Sequence, residues 1–204
     1  MTNAGRPKTP ESLKKIERIF MALNPSHFLG KKMLVDKIIQ HYSQEEIDRE
    51  WSSGLRGSSA GKCQRAIAYQ YHGFPAEPLS ARGRLACRLG DLIEKDMVDV
   101  SVKYGLTDMQ KECAIEIEGV KIVGHIDGIL NGDTVVDFKS INTLGFARVK
   151  KTGDVESYLH QMNFYMKALG LKKALLVYYD KNVSQLHEVP LEFDPQVWDK
   201  VVDR

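Results

Sequence analysis

Two aspartates and a lysine stand at a spacing suited to phosphodiester chemistry. Asp127 lies in Gly124-His125-Ile126-Asp127-Gly128, and Asp137-Phe138-Lys139-Ser140 follows ten residues later. Residues two apart in a strand share a face, so Asp137 and Lys139 point the same way. Residues 120–129 and 134–138 are rich in β-branched and apolar types, and Asn131-Gly132-Asp133 between them has strong turn chemistry. The pattern predicts one β-hairpin that brings Asp127 beside the other two. Two carboxylates and an amine on an apolar sheet are costly unless a cation joins them, and carboxylate oxygens suit Mg²⁺ or Mn²⁺. In outline this is a hydrolytic phosphodiester site.

Further polar residues fall on predicted helices. Gln161 and Tyr165 are four apart and stack on one helix face beside an apolar stripe. Gln can donate to a phosphate or hold a water, and the Tyr hydroxyl can do likewise; alone, the pair reads more readily as a polar rim over the core. Glu94 follows Gly90-Asp91-Leu92-Ile93 on a long helix that also carries Asp91 and Asp96. His125 shares the strand face of Asp127, where it would assist at a metal or phosphate or simply pack.

Asp127, Asp137 and Lys139 together resemble the core of the PD-(D/E)xK nuclease superfamily. Gln161 and Tyr165 are similar to the Gln-x-x-x-Tyr motif of its RecB-like exonuclease branch, and Gly90 to Glu94 resembles the helix that supplies a metal ligand there. The resemblance runs from about Arg56 to the end of the chain. It implies a mixed α/β, restriction-endonuclease-like core: a central mixed sheet flanked by helices, preceded by an N-terminal helical extension. It also implies a metal-dependent deoxyribonuclease acting as an exonuclease in phage or bacterial recombination, repair or DNA processing, with Lys139, Asp127, Asp137, Gln161 and Tyr165 catalytic. Mg²⁺ or Mn²⁺ would be held by Glu94, Asp127, Asp137 and the Phe138 carbonyl, and a 5′-phosphate product would result. Arg56, Arg65, Arg88, Ser140, Arg148 and Lys150 are the candidates for nucleic-acid contacts. Some members of the branch hold an iron–sulfur cluster through one early and three late cysteines. Cys63 stands early here but no cysteine follows Cys113, so no cluster is expected. A catalytically silent nucleic-acid-binding module of the same fold and a structure-selective endonuclease remain the alternatives.

The elements that must position these groups are legible in part. Residues 1–53 read as a helical extension and 54–204 as the nuclease core. Within the extension, residues 1–8 form a polar arm. A helix over 9–23 follows, with Thr9-Pro10 at its start, then one over 32–41 and a third from the capping box Ser43-Gln44-Glu45-Glu46 to Trp51. This extension would close over the cleft or bind a protein partner. Ser52-Ser53-Gly54 and Gly57-Ser58-Ser59-Ala60-Gly61 read as a small-residue linker. Helices are expected at 63–69, 80–104 and 155–169. In the second of these Leu85, Leu89, Leu92, Ile93, Met97 and Val100 recur at helical spacing, and Gly105 stops it. Strands are expected at 112–118, 174–180 and 186–191, the stretch Arg148 to Lys151 as a basic loop, and a last helix from Asp194-Pro195.

Composition bounds the class. The chain has 204 residues, 43% hydrophobic and 27% charged, enough for one cored domain with a small extension. No apolar run approaches the roughly 18 residues of a membrane span, and no signal-peptide core opens the sequence. Cytoplasmic residence in a bacterial or phage-infected cell is the expectation. Three widely spaced cysteines argue against a disulfide framework. The net charge of +2 does not by itself indicate a nucleic-acid partner. The distribution is more telling, with clusters at Arg56, Lys62 and Arg65, at Arg82, Arg84 and Arg88, and at Arg148, Lys150 and Lys151, although any one of these residues reads equally as a solvated surface charge.

Overall fold

The computed structural model describes residues 33–44, 54–153 and 155–203. The chain divides into two compact units, residues 1–45 and 46–204. In the first, helix α1 (Met33–Gln44) carries Asp36 in its first turn and His41 in its last, which complements the helix dipole. Its Leu34, Val35, Ile38 and Ile39 are exposed. The helix expected at 9–23 and the polar arm lie outside the described residues. The third helix does not open at Ser43 as expected: Ser43 and Gln44 continue α1, the Ser43 hydroxyl donating to the Ile39 carbonyl at 2.8 Å, and residues 45–51 lie outside the described residues.

The second unit is mixed α/β. Its main sheet has five strands in the order β2-β5-β6-β7-β8: β2 (Leu106–Thr107), β5 (Gly128–Leu130), β6 (Thr134–Ile141), β7 (Lys173–Asp180) and β8 (Gln185–Glu192). Within this sheet only β6 and β7 are parallel, and two helices, α4 (Thr143–Thr152) and α5 (Glu156–Leu169), make the crossover between them. A smaller sheet has the order β1-β4-β3, from β1 (Leu55–Arg56), β4 (Val120–His125) and β3 (Glu112–Ile117). Helices α2 (Gln64–Tyr71), α3 (Ala81–Ser101) and α6 (Pro195–Val202) complete the unit. One face of β7 is buried throughout, at Ala174, Leu176, Tyr178 and Asp180. Phe164, Met162 and Met166 of α5 join that core. Burying each such large side chain contributes roughly 1.5–3 kcal/mol.

The hairpin expectation is corrected in one respect. Residues 120–129 are not one strand: β4 pairs with β3 in the small sheet, and only β5 pairs with β6. The chain changes sheets at Ile126-Asp127. Two glycines make this crossing close-packed. A Cβ on Gly124 would lie 2.6 Å from the Tyr165 ring, and one on Gly128 would lie 2.7 Å from Leu106. The turn itself forms as its chemistry demands. Asn131 and Gly132 both have positive φ (52° and 77°), and the Asp133 N–H donates to the Leu130 carbonyl at 3.3 Å, as in a type I′ turn.

Three other expectations change. The Gly57–Gly61 stretch is not a linker. A short 3₁₀ turn at Gly57–Ser59 buries Gly57 and Ser59, and a Cβ on Gly57 would collide with the Phe164 ring. The small residues are there for close packing against α5, not for flexibility. Arg148 to Lys151 is helical, not a loop. Asn142 caps α4 by accepting from Gly145 N–H at 2.8 Å, and buried Phe146 and Val149 override a sequence poor in helix formers. Finally, the apolar stripe of α3 is largely outward: Leu85, Leu89, Leu92 and Val100 are 40–59% exposed. The helix meets β6 through its Gly90, where a Cβ would lie 3.2 Å from Ser140 Oγ.

Gly61 is the least forgiving of the close-packed glycines, since an added Cβ would strike the backbone of Ser157, which cannot rotate away. Gly61→Ala is therefore expected to destabilise the protein by about 2 kcal/mol. Gly54→Ala, with open space around it, should stay within about 0.5 kcal/mol of the parent. Urea denaturation of the two variants checks this.

Candidate active site

Strand β6 carries Asp137 and Lys139 on the face covered by α5, as the two-residue spacing requires. Asp137 is only 2% exposed, and the Lys139 ammonium sits 2.5 Å from its Oδ2. From α5, Gln161 Nε2 donates to Asp137 Oδ1 at 3.2 Å and to the Tyr165 hydroxyl oxygen at 2.9 Å. The four-residue spacing on α5 thus gives one side chain that ties both others together. Asp127 enters from the crossing between the two sheets, 8% exposed, and its Oδ2 accepts the Phe138 N–H at 2.7 Å. Lys139 Nζ also lies 5.1 Å from the centre of the Tyr158 ring, a cation–π contact that the sequence pattern does not reveal.

Glu94, half-buried on α3, stands one helical turn beyond Gly90, where α3 comes down on Ser140. Its Oε1 accepts from Gln110 Nε2 at 3.0 Å. Gln110 was not a candidate on sequence grounds, since it falls in the connection before β3 with no periodicity to mark it.

The electrostatics follow from burial. Removal from water, and then the adjacent Asp137, push the Asp127 carboxyl up to about 8. Burial raises Asp137 too, and here desolvation outweighs the opposing ammonium of Lys139. Glu94 is raised by burial and by Asp137, against the hydrogen bond from Gln110. For Lys139 burial works against the charge, but Asp137 and then Asp127 overcome it and hold the amine protonated beyond its ordinary range. The Tyr165 phenol is driven upward by burial and by Asp137, so it stays neutral and able to donate.

The candidate nucleic-acid contacts scatter more widely. Arg56 lines a cavity of about 480 Å³ with Ser58, Lys121, His125 and Tyr165, and the Tyr165 wall joins it to the carboxylate cluster. His125 is exposed there, 3.8 Å from Glu112 across the β3–β4 ladder. Ser140 lies on the opposite face of β6 from Asp137 and lines a cavity of about 230 Å³ with Gly90 and Glu94. Arg65 and Arg88 are exposed on α2 and α3, and Arg148 and Lys150 on α4. Lys121 is the cation the sequence reading passed over; alternation along β4 was the signal that puts it on a face with Val123 and His125.

No protein-family model matches this sequence, and no curated protein matches it. Its structure does match solved ones. The crystal structure of SSO0001 aligns over 84% of this chain and 85% of its own, with TM-score 0.55 and 17% identity. The alkaline exonuclease LHK-Exo from Laribacter hongkongensis, in complex with dAMP, aligns over 82% and 89%, with TM-score 0.55 and 16% identity. A phage-related exonuclease from Haemophilus somnus 129PT aligns over 72% and 88%, with TM-score 0.50 and 15% identity. The chain therefore shares the mixed α/β fold of these solved structures, two of them exonucleases, and at such identity the likeness is one of fold.

A folded state that holds the Asp127 proton to about pH 8, against roughly 4 in an unfolded chain, loses stability as pH rises through that interval. Asp137, shifted the same way, adds to the loss. In the presence of EDTA the urea midpoint should fall between pH 5 and pH 8, and Asp127→Asn should flatten that slope. Denaturation curves at the two pH values test it.

Proposed function

We propose that the protein is a metal-dependent DNA nuclease of the RecB-like branch, acting as an exonuclease in phage or bacterial DNA recombination, repair or processing. The observation that carries this reading is the convergence of three elements: Asp137, Lys139, Gln161 and Tyr165 are tied together by an ion pair and hydrogen bonds, and Asp127 accepts the Phe138 N–H between Asp137 and Lys139. The shared fold with two exonucleases, one of them in complex with dAMP, supports it.

The donor set fits a hard divalent cation in its chemistry. Burial drives two adjacent carboxylates towards protonation, Asp137 adds repulsion at Asp127, and a cation would relieve both. Among the described residues no three acidic, His or Cys groups gather into a ready-made cage, so Glu94 would join the two aspartates on loading. Mg²⁺ or Mn²⁺ would be held by Asp127, Asp137, Glu94 and the Phe138 carbonyl. Bound there, such an ion supplies Lewis acidity and neutralises charge.

The chain's own residues do the rest. In hydrolysis a water oxygen adds to phosphorus and the bond to the leaving 3′ oxygen breaks, which leaves a 5′-phosphate. Lys139, kept charged by its two aspartate neighbours, stabilises the negative charge that grows on the phosphoryl oxygens. Gln161 holds Asp137 and Tyr165 in register, and Tyr165, kept protonated, presents a neutral donor. Arg56, with Lys121 and His125 in the same cavity, neutralises backbone phosphates beside the cluster. Arg65, Arg88, Ser140, Arg148 and Lys150 are proposed as outlying contacts. Residues 1–53 are assigned to binding a protein partner, and the cytoplasm is the site of action. No helix among the described residues is long and apolar enough to cross a membrane.

End-labelled linear DNA, single- and double-stranded, and closed circular DNA are the substrates that test the proposal, with Mg²⁺, Mn²⁺ or EDTA. Loss of linear DNA only with a metal is expected, with Lys139→Ala slower by about 10²–10³-fold. Internal cutting of the circle would identify an endonuclease instead. Binding without cleavage under every condition would identify the fold as a silent nucleic-acid-binding module.

A further inference from the structure

The connection from β2 to β3 holds backbone that its residue types do not favour. Asp108 and Gln110 both adopt positive φ, 52° and 53°, in a region that side chains other than glycine enter at a cost. Asp tolerates it through short polar bonding, but Gln has no such local compensation. Strain of this kind persists only where surrounding contacts impose it.

Those contacts lead to the acidic cluster from two directions. The Gln110 amide reaches across to α3 and donates to Glu94 Oε1 at 3.0 Å. One residue on, the Lys111 carbonyl accepts the N–H of Ile126 at 3.1 Å, immediately before Asp127. The loop is closed on itself by Lys111, whose ammonium lies 3.0 Å from Asp108 Oδ1. Asp108 to Lys111 therefore forms a bridge between the strand crossing that bears Asp127 and the helix that bears Glu94. A carboxylate has two oxygens, so a donor fixed on Oε1 sets the plane of the group and leaves Oε2 for another partner.

We propose that Gln110 is the positioning residue for Glu94, its amide orienting that carboxylate for a divalent cation shared with Asp127 and Asp137. The proposal rests on the reading of the cluster as a metal site. It assigns the left-handed conformation of Gln110 a purpose: with negative φ the side chain would leave the loop in another direction. Outer partners of this type, which hold a ligand's orientation without touching the ion, are worth about 10–100-fold in metal affinity.

The test is Mn²⁺ titration of the full chain, followed by the paramagnetic signal of the free ion, in the parent and in Gln110→Gly, Glu94→Ala, the double variant and Asp137→Asn. Glycine adopts positive φ freely, so Gln110→Gly removes the amide while keeping the loop. The melting temperature of its metal-free form should stay level or rise. The expected result is Mn²⁺ binding about tenfold weaker in Gln110→Gly, with no further loss when the change is made on top of Glu94→Ala. Unchanged affinity in the single variant overturns the proposal, as does an equal loss with and without Glu94. Tighter binding overturns it as well, since the amide would then be holding Glu94 away from the ion. If Asp137→Asn also leaves Mn²⁺ binding intact, the cluster is not a metal site, and the reading beneath the proposal falls with it.

Discussion

Everything at the cluster depends on a carboxylate buried where water cannot reach it. Asp137 is 2% exposed on a central strand, with β5 on one side and β7 on the other. An ionised group in that position must be met by opposite charge and by hydrogen bonds, or it takes up a proton. Lys139 and Gln161 supply part of that requirement, one from the same strand and one from the covering helix. The remainder is visible as an unrelieved preference of Asp137 and Asp127 for their protons. A folded protein that keeps such a preference in its core holds stabilisation in reserve for a ligand of positive charge.

The architecture answers the question of how three elements far apart in sequence reach one point. The parallel β6–β7 pair requires a long crossover, and α4 and α5 fill it, so Gln161 and Tyr165 are laid across the face that Asp137 uses. The small sheet then meets α5 through glycines. Gly57 and Gly124 each lie where a side chain would strike Phe164 or Tyr165. Those contacts fix where β4 ends, and thus where Asp127 emerges. Chain direction at Ile126 is set by packing against aromatic rings, and the aspartate's position is a consequence of it.

This division explains what could be read beforehand. The grouping of the two aspartates with the lysine, the turn at Asn131 to Asp133 and the helix bearing Gln161 and Tyr165 were legible, because each rests on short-range periodicity or on residue chemistry that a few neighbours determine. The split at Asp127 was not, since a β-branched run looks the same whether it stays in one sheet or leaves it for another. The Gly57–Gly61 segment misled for a related reason. Glycine and serine serve flexibility and close packing equally well, and only the position of Phe164 decides between them. Helix α4 was hidden by weak intrinsic propensity, overcome by the burial of Phe146 and Val149. Comparisons with solved structures bear out the mixed α/β fold; they leave the roles of the individual residues to experiment.

The third carboxylate poses the opposite problem from Asp137. Helix α3 buries Ala81 alone among its residues, and four of its apolar side chains face outward. Its main attachment to the sheet is the close approach of Gly90 to β6. An element held so lightly has little packing with which to fix the rotamer of a glutamate one turn further along. A long, flexible side chain on such a helix keeps most of its rotamer freedom. Orientation must then come from a hydrogen bond, and the loop that provides it is anchored at its other end to the strand crossing beside Asp127. Strain in that loop and looseness in α3 are thus two sides of one arrangement: precision is supplied locally where the hydrophobic core does not extend.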